Sequence, residues 1–165
     1  MIDELAQSLE PAEAEIIEFP KSTSVTHPEI LQFMRRHSLA VQASVSPRQT
    51  PQAAVVGFIV TDDFEIFFDT VDTTRKVFNL RRNAACAFVV GGMLKGDERS
   101  VQYEGIADEP TGANLERLKE LYFVQFPDGR ARQHSPGLIY VRVRPRWLRF
   151  SDFNQSPPAI TEFTF

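Results

Sequence analysis

The chain has 165 residues, of which 42% are hydrophobic and 24% are charged, and its net charge is −4. This length allows one domain with a substantial core and excludes two large ones. The single cysteine excludes an intrachain disulfide, and the sequence contains neither a long apolar span nor a secretory signal, so we expect a cytoplasmic protein without a membrane partner.

The basic residues are concentrated in the middle of the chain. Residues 1–70 carry a net charge of −7, whereas residues 71–150 carry a net charge of +5. Acidic residues are interspersed through this middle section and no nucleic-acid-binding motif occurs in it, so we expect no nucleic-acid partner. A small anionic ligand suits this distribution better.

The first part of the chain predicts an arm, a helix and three strands. Residues 1–24 are acidic and lack a sustained apolar period, which predicts a mobile N-terminal arm. A capping box, Thr26 to Glu29, predicts a helix over 27–37. Alternating or continuous apolar residues then predict three antiparallel strands joined by short turns, with Leu39, Val41, Ala43 and Val45 on the apolar face of the first: 39–45, 52–61 and 65–69.

The second part predicts two helices and three further strands. A short helix over 75–83 should turn Val77, Phe78 and Leu80 inward, and strands should follow over 84–90 and 100–108. Gly105 suggests a bulge or a close backbone approach, and Pro145 a bend or an edge in the last strand, 138–150. Thr111 caps a helix whose apolar stripe comprises Leu115, Leu118, Leu121, Tyr122 and Phe126. The expected fold is a barrel-like α+β domain of six or more strands.

A strand-to-helix junction at residues 67–76 carries two cations in the first turn of the helix. A helix N-terminus is itself electropositive, so Arg75 and Lys76 there indicate a bound anion. Backbone amides, the hydroxyls of Thr70, Thr73 and Thr74, a guanidinium and an ammonium together suit a phosphate. The alternative is a solvated basic turn capped by Asp72 or Thr73.

The other chemically reactive residues do not form a motif. Cys86 lies in an apolar run and is expected to be a buried hydrophobe. His27, His37 and His134 lack metal-ligand spacing, so we expect no metal site. Trp147, on the last strand, is expected either in the core or stacked on a ligand.

The order of these motifs resembles the FMN-binding split-barrel family typified by pyridoxamine 5′-phosphate oxidase. The resemblance spans about residues 28–153, and it implies a split β-barrel of mainly antiparallel strands with flanking helices, two subunits sharing each flavin, and an FMN phosphate held by Thr74, Arg75 and Lys76 with Thr70 beside them. The residues that carry it are Thr70, Thr74, Arg75, Lys76, then Asn79, Leu80, Arg81, Asn83, then Arg99, Val101, Glu104, Gly105, followed by the strand with Tyr140, Arg142, Val143 and Pro145.

Three departures from the family pattern limit what the resemblance implies. The second strand is apolar over 53–59 where the oxidases have an Arg and a Lys, so backbone groups around Val56 would have to replace them. Ser100 stands where those enzymes have Gln, and it reaches less far toward the flavin. The Arg-x-His segment that follows the last strand in the oxidases is missing there, although Arg132 and His134 form one earlier. Oxidation of pyridoxamine phosphate is therefore not expected.

The expected function is that of a homodimeric FMN-binding flavoprotein, an oxidoreductase acting on an unidentified small molecule. The alternatives are a non-catalytic flavin-binding or storage module, and a binder of deazaflavin F420 or of haem on the same fold. Residues 25–153 would form the domain. The tail, residues 154–165, would cover a sheet edge or the partner subunit.

Overall fold

A computed structural model describes residues 25–165, and the predicted N-terminal arm, residues 1–24, lies outside the described residues. The described chain forms eight strands and four helices. In chain order these are α1 (His27–Arg35), β1 (Leu39–Val45), β2 (Pro51–Gly57), β3 (Ile59–Val60), β4 (Ile66–Val71), α2 (Arg75–Arg82), β5 (Ala85–Gly91), β6 (Arg99–Asp108), α3 (Gly112–Gln125), α4 (Gly129–Arg132), β7 (Leu138–Asp152) and β8 (Ala159–Thr164). None of these helices is long and apolar enough to cross a membrane.

All eight strands belong to one antiparallel sheet, which curls until its two ends meet. The order is β2-β1-β5-β6-β7-β4-β3, and β8 pairs with β7. β2 and β3 stand at opposite ends of this order, yet only Phe58 separates them in the chain. The predicted α+β split barrel with flanking helices is therefore confirmed.

The prediction of one strand over 52–61 is wrong in one respect that shapes the barrel. The chain changes partners at Phe58, so β2 pairs with β1 and β3 pairs with β4. The Phe58 amide donates to the Ser38 carbonyl at 3.1 Å, which extends the β1–β2 ladder by one hydrogen bond before the pairing with β4 begins. The first strands are consequently not a simple meander.

The pairing of β6 with the long strand β7 shifts register at Gly105, where a bulge or a close backbone approach was predicted. The first half of β7 pairs with β4 and its second half with β8, while β6 runs along its other side. Glu104 lies opposite Trp147 and Gly105 opposite Pro145, so Arg146 is left without a partner across the ladder. A Cβ on Gly105 would lie 2.5 Å from the Arg144 carbonyl oxygen, which explains the glycine.

Two clusters of buried side chains hold the fold together. The larger cluster fills the barrel under α1 and includes Phe58, Phe68, Phe88 and Tyr103. The smaller cluster packs α3 on the outside of β4 and β7 through Phe67, Leu118, Tyr122, Phe123 and Tyr140. Burial of Leu118 and Tyr122 agrees with the predicted stripe of α3, whereas Leu121 is 44% exposed.

The amphipathic phase of β1 is opposite to the prediction. Ala40, Gln42 and Ser44 point into the barrel, while Leu39, on the apolar phase, is 52% exposed. α2 likewise turns Val77, Asn79 and Leu80 inward and leaves Phe78 61% exposed, so the inward placement of Phe78 is also wrong. The inner surface near α2 is therefore partly polar, and the outer surface of β1 is apolar.

Candidate functional site

The barrel is split between β2 and β4. β3 continues β2 and pairs with β4 only at Ile59 and Val60; farther on, β2 pairs with β1 and β4 with β7. The facing edges of β2 and β4 therefore carry backbone groups that no other described strand satisfies. A ligand or another chain can form hydrogen bonds with the unpaired backbone groups of such edges.

α2 begins at the mouth of this split, directly after β4. Thr74 is the N-cap residue, with an extended backbone at φ −74° and ψ 149°, and its side chain makes no capping hydrogen bond. The first turn contains no acidic residue. The amides of Arg75 and Lys76 therefore have no acceptor within the helix, whereas those of Val77 and Phe78 donate to the Thr74 carbonyl.

Three of the predicted phosphate ligands converge there. The hydroxyls of Thr70 and Thr74 lie 3.4 Å apart, and Lys76 Nζ lies 3.4 Å from Thr70 Oγ1. Thr73 is exposed in the adjoining turn. These hydroxyl and ammonium groups therefore lie together at an electropositive helix end.

Arg75 and Lys76 differ from other basic residues of the predicted motifs in their ion pairing. Arg81 pairs with Glu109 at 2.6 Å and Arg99 with Asp97 at 2.7 Å. Within residues 25–165, Arg75 and Lys76 have no carboxylate within 4.0 Å. Their charge is therefore available to an anion, whereas hydrogen bonds from Arg81 hold the pKa of Glu109 below its usual range.

Arg75 extends across the split toward β2. Its guanidinium lies against the side-chain amide of Gln52, with Nε 3.2 Å from the nearer amide atom. The other end of that amide lies 2.8 Å from the Asn79 side-chain amide, which in turn lies 3.0 Å from Ser44 Oγ. Asn79 is 2% exposed, so this row of amides is a buried feature.

Within one chain, the other predicted cofactor-binding residues do not join the donors at the start of α2. Val56 is 6% exposed in the core, so only its backbone can face a ligand. Ser100 lies opposite Ser151 and Thr70 opposite Ile139, so their partners are separated by up to roughly 40 Å of β7. Trp147 is half-buried between Glu104 and Thr164 on the neighbouring strands.

Sequence reasoning missed Ser44, Gln52 and the inward side of Asn79. A signal existed, because Gln42 and Ser44 alternate with apolar residues along β1. The alternation was assigned to the wrong face. Only the position of β1 within the barrel shows that its polar residues meet α2.

The histidines and Cys86 take structural positions. His27 packs edge-on against Phe163, His37 Nδ1 lies 3.0 Å from the Phe33 carbonyl oxygen, and His134 is exposed. Burial raises the pKa of the Cys86 thiol to about 12. Among residues 25–165, no three His, Cys, Asp or Glu side chains are grouped as a metal site would require.

Solved structures with the same fold come from several bacteria. A haem-binding protein from Mycobacterium smegmatis superposes with a TM-score of 0.73 at 11% identity, over 87% of this chain and 60% of its own. A putative pyridoxamine 5′-phosphate oxidase from Listeria innocua gives 0.65 at 17% identity, over 78% and 98%. The haem storage protein HutZ from Vibrio cholerae gives 0.65 at 14% identity, over 83% and 92%.

These identities establish the fold alone, and no curated protein is similar enough in sequence to match. A family model provides the stronger result. The model described as pyridoxamine 5′-phosphate oxidase matches residues 26–154, which contain both unpaired edges of the split, α2 and the bulge in β7. The chain therefore belongs to the pyridoxamine 5′-phosphate oxidase family.

Proposed function

We propose that this protein binds FMN through the group of donors at the start of α2 and acts as an oxidoreductase on a small molecule. One observation carries the proposal: Arg75 and Lys76 stand without carboxylate partners at a helix N-terminus, beside the hydroxyls of Thr70 and Thr74. Thr73 adds a further hydroxyl in the same turn. This donor set fits a phosphate ester, and family membership makes the flavin phosphate the first choice.

A homodimer with the flavin at the subunit interface is part of the proposal. The outer surface of β1, β2 and β5 is apolar and exposed, which is unusual for a monomer and typical of an interface. Its most exposed large residues are Leu39 at 52%, Val55 at 61% and Val89 at 40%. Ser100 and Trp147, distant from α2 in one chain, would then reach the flavin from the partner subunit.

FMN when bound supplies hydride and electron transfer at its ring, and the chain's own residues do the rest. Arg75 and Lys76 would neutralise the phosphate, Thr70 and Thr74 would orient it, and backbone groups of β2 near Val56 would be available to the ring. No side chain is assigned as a proton donor or acceptor.

Oxidation of pyridoxamine phosphate is not part of the proposal. β2 offers Ala53 to Gly57 in place of the basic side chains of the oxidases. Arg132, the arginine of the early Arg-x-His, is already paired with Asp69 at 3.1 Å and Asp128 at 3.0 Å. A second phosphate-binding cation for such a substrate is therefore not available at that position.

Other ligands are kept as distinct alternatives. F420 also carries a phosphate that the same donors can hold, and a non-catalytic flavin-binding or storage role needs the same site. Haem is a second candidate because two proteins of this fold are described as haem-binding and haem-storing. His134 is exposed and is the residue to test as its ligand.

The visible spectrum of the purified protein tests the proposal directly. After FMN is added and the protein desalted, the wild type should retain the bands of oxidised flavin, and turnover with candidate electron donors would separate an enzyme from a storage module. Addition of haem, with His134→Ala for comparison, tests that alternative by the appearance of a Soret band.

Replacement of both cations tests the site. The double substitution Arg75→Ala/Lys76→Ala should weaken FMN binding by several kcal/mol in total, given about 1.5–3 kcal/mol for each hydrogen bond to a charged group. Binding of riboflavin, which lacks the phosphate, should change little. Arg36→Ala/Lys95→Ala removes the same two charge types from exposed positions outside α2 and serves as the control. Unchanged FMN affinity in the Arg75/Lys76 variant would contradict the site.

A further inference from the structure

The side-chain amide of Gln52 faces two donors and has one oxygen. Asn79 Nδ2 lies 2.8 Å from one end of the amide, and the Arg75 guanidinium contacts the other end. The oxygen can point toward only one of them. A hydrogen bond from a charged guanidinium is stronger than one from a neutral amide, so the oxygen belongs toward Arg75. The Gln52 NH2 then donates toward Asn79, whose own amide turns its oxygen to accept from Gln52 and from the Ser44 hydroxyl.

Gln52 itself is held in place by buried partners. Asn79 is 2% exposed and Ser44 is 4% exposed, and the two are joined at 3.0 Å. Ser44 also lies opposite Gln52 in the β1–β2 ladder. Gln52 is therefore fixed both by its strand and by α2, which makes it a rigid support rather than a mobile surface side chain.

Arg75 is a long, exposed side chain, and without the Gln52 contact its guanidinium would sample many rotamers. Ordering such a side chain costs rotamer entropy, which a phosphate would have to offset on binding. A neutral partner can order the guanidinium without cancelling its charge. A carboxylate in the same place would order it too, but would compete with the phosphate.

We propose that Gln52 is a positioning residue, which holds the Arg75 guanidinium over the start of α2 and thereby favours ligands that carry a phosphate. This inference rests on the proposed function, since it assigns the selectivity of that same site. Gln52 acts through Arg75 and need not touch the ligand.

The ratio of FMN to riboflavin affinity tests the inference. Gln52→Ala should raise the Kd for FMN about tenfold, because the phosphate must then offset the cost of ordering Arg75, and leave the Kd for riboflavin unchanged. Gln52→Glu should raise the Kd for FMN further, roughly a hundredfold, because its carboxylate would pair with Arg75 and repel the phosphate. Gln32→Ala, an exposed glutamine on α1, is the matched control and should alter neither Kd.

The outcomes separate the two proposals. If Gln52→Ala weakened the binding of FMN and riboflavin equally, Gln52 would have a merely structural role and the inference would be overturned. Unchanged FMN affinity would overturn it as well. In both cases the proposed function would stand. A wild-type chain that binds no FMN would overturn the proposed function and the inference together.

A second measurement reports the contact without any flavin. In proton–nitrogen NMR spectra of the full chain, the Nε–H resonance of Arg75, assigned by Arg75→Lys, should shift and exchange faster with water in Gln52→Ala. An unchanged resonance would overturn the inference whether or not FMN binds.

Discussion

The substitution Gly105→Ala tests the closest backbone approach in the barrel. The added Cβ would lie 2.5 Å from the Arg144 carbonyl oxygen and 2.6 Å from Val143 Cγ1. The β7 backbone would have to move by roughly 1 Å to restore an ordinary separation of about 3.5 Å. That movement also disturbs Tyr103, whose buried hydroxyl lies 2.9 Å from the Val143 carbonyl oxygen.

The expected loss of stability follows from these contacts. Overpacking in a tight core costs about 1–3 kcal/mol, and a weakened buried hydrogen bond about 1 kcal/mol more. We therefore expect the free energy of unfolding to fall by about 3 kcal/mol, which lowers Tm by about 6–12 °C for a chain of this size.

Urea and thermal unfolding, followed by circular dichroism, would measure this loss. Gly57→Ala is the control, because its Cβ would meet only the tip of the Phe126 ring at 3.2 Å, and a ring can yield more readily than backbone. The control should lose less than about 1 kcal/mol. If Gly105→Ala and Gly57→Ala unfold at the same urea concentration, the close approach at the bulge is not what requires the glycine.

Three further predictions concern the interface, the cysteine and pH. Val55→Asp should shift the protein from dimer to monomer in analytical ultracentrifugation, since it buries a charge in the proposed interface; a dimer of unchanged affinity would place the interface elsewhere. Cys86 should not react with a thiol reagent at pH 8 while the protein is folded, because burial raises its pKa to about 12, and it should react at once in denaturant. Hydrogen bonds from Arg99 lower the pKa of Asp97 from 3.8 to about 2, so Asp97 stabilises the fold above pH 4 and loses this effect as pH falls toward 2. Asp97→Asn should therefore flatten the stability profile between pH 4 and pH 2, and a profile parallel to that of the wild type would contradict the pairing.

The parts of the site that lie close together in sequence were predictable. Thr70, Thr74, Arg75 and Lys76 fall within one strand-to-helix junction, and the geometry of a helix N-terminus is local. The same holds for the bulge. Gly105 and Pro145 each restrict the backbone through their own covalent structure, so each indicates an irregularity before any partner strand is known.

The partner of Arg75 was not predictable in the same way. Gln52 is 23 positions away in the chain. It contacts α2 because β2, before Phe58, pairs with β1, and only the residues after Phe58 pair with β4. No composition or period in the sequence marks that exchange of partners, since residues 52–61 are almost continuously apolar.

The sequence by itself determined α1, α2 and α3, the strand-rich α+β fold and the basic start of α2, because each of these follows from periodicity, capping and charge over a few residues. It did not indicate α4. The tertiary structure alone decided which face of β1 is inside. An alternating strand fits a core equally well in either phase, and a shift by one residue exchanges its two faces. Closure of the barrel placed Gln42 and Ser44 inside and the apolar phase outside, and that choice created both the polar support of Arg75 and the apolar outer surface.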